Sequence, residues 1–99
     1  MLSVLDLNAG TKVMDIKIDG DALEAMTLDN YRPRIYINNK ATNQIVVLGR
    51  FKNMIVAKWS TTLGKQNVAM ALDEQRQRLF IGCRSGQILV FDTNTGQEL

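Results

Sequence analysis

The chain contains no histidine at all. Ser-His-Asp and Cys-His nucleophile systems are therefore excluded from these residues, as is any His-ligated metal. A single cysteine, Cys83, permits no internal disulfide and leaves the redox compartment open. Proline occurs once, at Pro33. No apolar run approaches the roughly 18 residues of a membrane-spanning helix, so membrane insertion is not expected. The stretch MLSVLDLNAG has neither a basic n-region nor a long apolar segment, so it does not read as a signal peptide. Charge of one sign is scarce too. Twelve Lys plus Arg against 10 Asp plus Glu leave +2, evenly spread, and no nucleic-acid partner is expected.

What remains is ordinary globular material. Of the 99 residues, 45% are hydrophobic and 22% charged, enough for one small domain with a modest core. The informative feature is a repeat. Asp6 and Asp92 stand 86 positions apart, as do Gly10 and Gly96, which is twice a period of 43. At that offset Gln44-Ile45-Val46-Val47-Leu48 falls on Gln87-Ile88-Leu89-Val90-Phe91. EAMTLDNYRPRIYI lies over VAMALDEQRQRLFI at offset 44, matching Met26 with Met70, Asp29 with Asp73, Arg32 with Arg76 and Arg34 with Arg78.

Runs of four to six residues rich in Val, Ile, Leu, Phe and Tyr alternate with Gly, Asn and Asp turns, and no segment sustains a helical period. This pattern predicts about nine strands, near 2–7, 12–18, 23–28, 34–39, 44–49, 54–60, 67–72, 78–83 and 87–92. Short turns make neighbouring strands antiparallel. IVVL, ILVF and Val68–Leu72 are apolar on both faces and read as strands sandwiched between sheets. Strands 12–18 and 54–60, with Asp15, Lys17 and Lys58, read as edges blunted by charge. Met26 and Met70 read as equivalent buried filler. Four strands per repeat, with an apolar inner and a charged outer strand, describe a β-propeller blade.

Tyr36-Ile37-Asn38-Asn39, VFDTNTGQEL and ALDEQRQRLFIGCRSGQILVFD resemble YVTN-type β-propeller repeats, and the resemblance spans essentially the whole chain. Phe80-Ile81-Gly82-Cys83 departs from that pattern. WD-type repeats fit less well, because Gly-His is absent and the strand ends Phe91-Asp92. The resemblance implies an all-β fold, a β-propeller fragment of four-stranded antiparallel blades. Residues 1–18 would end one blade, 19–62 would form a complete one, and 63–99 an incomplete one. On that division the chain is expected to be a piece of a longer propeller whose remaining blades are its partners. Location in a periplasm or at a cell surface is a further implication.

Few residues suggest chemistry. DLNAG and DTNTG evoke a calcium loop, but position twelve from Asp6 is Lys17 where a Glu is needed, so hairpin turns are expected. Asp29 and Asp73 are expected to accept local backbone N–H groups. Arg32, Arg34, Arg76 and Arg78 read as solvated turn charges. Cys83 reads as a small buried hydrophobe. Ser85 has no histidine to activate it. By the resemblance, the loops carrying Lys40, Asn43, Arg84 and Ser85 lie on a face where propellers bind partners, a protein or a small molecule. No catalytic, metal or cofactor residue is identified. The reading is a non-catalytic scaffold and binding segment. The alternative is a piece of a propeller enzyme, lactonase-like or quinoprotein-like, with active-site residues in other blades.

Overall fold

The structure, a computed structural model, describes residues 2–6, 11–16, 23–50, 54–61 and 64–99, and side chains from residue 23 onward within those ranges. Strands β1 (Leu2–Asp6) and β2 (Thr11–Ile16) pair with each other as an antiparallel hairpin. Seven further antiparallel strands make two sheets. The first holds β3 (Leu23–Asp29), β4 (Arg34–Asn39), β5 (Gln44–Gly49) and β6 (Met54–Ser60) in sequence order. The second holds β7 (Asn67–Asp73), β8 (Arg78–Cys83) and β9 (Ile88–Asp92). No helix occurs among the described residues. Among the described residues the protein is all-β, and these two sheets together hold seven strands rather than about nine, β1 and β2 pairing only with each other.

β-branched and aromatic residues fill β4 and β5, where the pleat sends alternate side chains to opposite faces. One face of the first sheet carries Tyr36, Ile45 and Val47, the other Ile37, Val46 and Leu48, and all six are essentially solvent-free. Burying side chains of this size contributes roughly 1.5–3 kcal/mol each. The Tyr36 face packs on Leu79, Ile81, Leu89 and Phe91 of the second sheet, with Ala57, Trp59, Met70 and Leu72 at its margin. Trp59, on edge strand β6, joins the sheets. Its ring lies 5.6 Å from that of Tyr36 and stacks 6.0 Å from that of Phe91.

Polar groups fasten the same junction. Asn38 Nδ2 donates to Ala69 O at 3.0 Å, and Asn67 Nδ2 donates to Asn38 Oδ1 at 2.9 Å and to Gln44 O at 3.0 Å. At one end of the sheets Arg32 reaches the neighbouring sheet's turns. It donates to Gln77 Oε1 and Asn94 Oδ1, each at 2.8 Å, while Arg34 Nη1 donates to Thr93 O at 3.1 Å. These two arginines are therefore cross-links between sheets, not the solvated charges expected. Asp29 behaves as expected, its Oδ1 accepting from the N–H groups of Tyr31 and Arg32. Its Oδ2 also accepts the Tyr36 hydroxyl at 2.6 Å.

The repeat survives as geometry. Asp92 N–H donates to Gln97 O at 2.9 Å across the last turn, and Glu98 bridges Phe91 as Ile55 pairs with Leu48, 43 residues earlier. The DTNTG segment is a turn, with Asn94 N–H donating to Asp92 Oδ1 at 2.8 Å and Gly96 at φ 77°. Of DLNAG only Asp6, the last residue of β1, is described; residues 7–10 and Lys17 lie outside the described residues. Lys58 is exposed on edge strand β6, as expected.

Two burial expectations fail. Met70 packs toward the first sheet, but its equivalent Met26 is 50% exposed. Ala69 and Ala71, expected between sheets, are exposed, as is Ile88. The reason is common to all. Burial here depends on whether another sheet lies over a face, and no described residue covers these positions.

Two outcomes follow. A Cβ at Gly96 would collide with the Trp59 indole, and its positive φ disfavours any side chain. Gly96→Ala should therefore cost about 1–3 kcal/mol in urea unfolding. Burial, aided by the hydrogen bond to Asp29, pushes the Tyr36 phenol from 10.0 up to about 12. Between those values the folded state holds a proton that the unfolded chain has lost, so stability falls as pH rises. Tyr36→Phe should flatten that alkaline loss in thermal melts from pH 9 to 12, while lowering stability at pH 7 by roughly 1–3 kcal/mol through loss of the Asp29 partner.

Candidate functional site

At the end of the sheets opposite Arg32, three connections converge: the β4–β5 turn, the β6–β7 link and the β8–β9 turn. They line a concavity of about 360 Å³ formed by Lys40, Asn43, Lys65, Gln66, Arg84 and Ser85. Lys40, Asn43, Arg84 and Ser85, the four residues singled out from the sequence, are thus brought together. Lys65 and Gln66 were not singled out. They sit in the inter-repeat link, where the repeat alignment offers no matching signal.

The local chain geometry explains why these loops hold their shape. Asn43 and Gln66 both adopt left-handed backbone, at φ 53° and 57°. Asn tolerates this region better than most residues, because its short amide can bond nearby backbone. Here Asn43 Oδ1 accepts from Gln66 N–H at 3.0 Å, and Asn43 O accepts from both the N–H and the hydroxyl of Thr61, each at 2.9 Å. Gln66 O in turn accepts from Arg84 N–H at 3.0 Å. Ser85 Oγ accepts from Lys65 N–H at 3.0 Å and lies near Lys65 O and Gln87 Oε1. The three loops are therefore knitted by backbone, amide and hydroxyl groups, without use of the charged ends of Lys65 and Arg84.

Of the three cations, Lys40 pairs with Glu24 at 3.3 Å, and both are partly exposed. Lys65 and Arg84 have no carboxylate partner among the described residues, and no carboxylate lines the concavity. The site is therefore electropositive, with amide donors beside the cations. The partners of Ser85 Oγ are amide groups, none of which could take its proton, so the geometry does not make it a nucleophile.

Other chemistry is sparse. Cys83 is buried against Gly64 and the core, and desolvation, with the Glu98 charge adding to it, pushes its thiol up. It behaves as the small hydrophobe expected. No group of three or more His, Cys, Asp or Glu side chains that could hold a metal occurs among the described residues. A second concavity, about 420 Å³, opens at the other end, between Thr27, Leu28, Leu72, Asp73, Glu74 and Gln75. Its wall carries the carboxylates of Asp73 and Glu74 and no cation. No protein-family model matches the chain, and no curated protein is significantly similar to it.

The Asn43 contacts give a graded outcome. Asn43→Ala removes the acceptor for Gln66 N–H and strains the backbone, and should cost about 1–2 kcal/mol. Asn43→Gly loses the same acceptor but tolerates the dihedral, so it should cost less. Urea titrations of both variants would check the order.

Proposed function

We propose that the chain is a run of β-propeller repeats, resembling those of the YVTN type, serving without catalysis as a scaffold and binding surface whose partners include further blades. The observation that carries this reading is the mismatch between equivalent faces. Thr27, Tyr36, Ile45 and Val47 of the first sheet correspond to Ala71, Phe80, Ile88 and Val90 of the second. In the first sheet Tyr36, Ile45 and Val47 are fully covered by the next sheet. In the second, Phe80 is 38% and Ile88 75% exposed. An apolar face built like a covered one, yet bare, suits a further sheet of the same kind.

The arginines support the same reading. Arg32 grips the turns of the following sheet, whereas its equivalent Arg76 folds back onto its own Asp73 at 3.0 Å and is largely exposed. That pair holds the Asp73 carboxyl below the usual range. A following sheet would offer Arg76 the partners that Arg32 already has.

Sedimentation velocity and binding of an apolar dye test the reading. The chain should associate as concentration rises and bind dye. Phe80→Lys combined with Ile88→Lys should abolish both with an unchanged far-UV circular dichroism spectrum. A chain that stays monomeric and binds no dye would overturn the proposal.

A further inference from the structure

We infer that the concavity formed by Lys40, Asn43, Lys65, Gln66, Arg84 and Ser85 binds a multiply charged oxyanion, a phosphoryl group or a dicarboxylate. The inference deepens the binding-surface reading above and rests on it only for the statement that this end of the sheets is a recognition face.

Three independent connections, from two successive repeats and the link between them, each deliver one cation to the same concavity. The loops that carry them are held by other groups. Asn43 Oδ1, Gln66 O and Ser85 Oγ satisfy backbone donors, so the loop frame does not depend on the cationic ends. Lys65 and Arg84 are therefore not structural ion pairs. At the opposite end of the same sheets, Arg32 and Arg34 are consumed by bonds between the repeats. The contrast separates cations used to hold the fold from cations left over.

The donor set fits an oxyanion better than a single carboxylate. A guanidinium offers a planar fork that matches two oxygens of one group. Two ammonium groups supply point charges from other directions. With Asn43 Oδ1 occupied by Gln66 N–H, the amide's Nδ2 is left as a donor without a partner among the described residues. A ligand with three or more oxygens and two negative charges can use all of these together. Glu24 opposes it by holding Lys40 at 3.3 Å, which makes Glu24 a built-in competitor.

Isothermal titration of the 99-residue chain with inorganic phosphate and, separately, with malonate, at constant ionic strength set by sodium chloride, tests the inference. At least one oxyanion should bind, and the two arms tell a phosphoryl site from a dicarboxylate site. Lys65→Ala combined with Arg84→Ala should weaken that binding by about tenfold or more. Lys65→Arg combined with Arg84→Lys should retain most of it. Glu24→Gln, which frees Lys40, should tighten binding by about two- to threefold, an effect that a purely structural role for these residues would not produce. Absence of binding in both arms, or binding equally tight in the alanine variant with an unchanged circular dichroism spectrum, would overturn the site. Because Phe80 and Ile88 lie on a different surface, failure here leaves the association test standing, and failure there leaves this one standing.

Discussion

Tyr36, Ile45 and Val47 press on Leu79, Ile81 and Phe91, and nearly every other feature of the molecule follows from that contact. Each sheet carries apolar side chains on both faces, so neither could stand alone in water. The faces that meet are unlike. The first sheet contributes the side carrying Tyr36, while the second contributes the side equivalent to Ile35, Ile37, Val46 and Leu48. The sheets therefore relate by a step rather than by a two-fold axis, and the step leaves one apolar surface uncovered.

Polar chemistry refines this packing. Buried Asn38 and Asn67 tie β4 and β5 to β7 through side-chain amides, a link that fixes the height of one sheet against the other. Asp29 gathers two backbone N–H groups and the Tyr36 hydroxyl, so the turn, the strand and the aromatic contact are set together. In the second repeat Phe80 lacks that hydroxyl and Gly82 stands where Asn38 would be, so the bare face is less polar than its covered counterpart. At one end of the sheets Arg32 and Arg34 are bound between the repeats, and at the other Lys65 and Arg84 have no carboxylate partner among the described residues.

Much of this was legible in the residues. The 43- to 44-residue period placed β4, β5, β6 and β8 within their observed bounds, because turn residues and apolar runs both mark strand limits. The same period put Lys40 beside Arg84 in equivalent turns, and the structure adds Lys65 and Gln66 from a link that the repeat does not govern. Burial was read less well. Met26, Ala69 and Ala71 have the character of core residues, yet their exposure is set by a neighbouring sheet, which no local pattern encodes. Arg32 and Arg34 looked like surface charges for the same reason. Their partners, Gln77, Thr93 and Asn94, lie 45 to 62 residues away.

The unlike-face contact also bears on how such a chain could change length over generations. An in-frame duplication of one period would insert a sheet whose two sides meet surfaces already matched to them. Every new junction would repeat an existing one, including the clasp of an arginine on the next pair of turns. Lengthening by whole periods is thus nearly neutral for packing, whereas gaining or losing half a period would put residues suited to an edge strand where a central strand belongs. Selection on such a gene would see steps of about 43 residues and little between them.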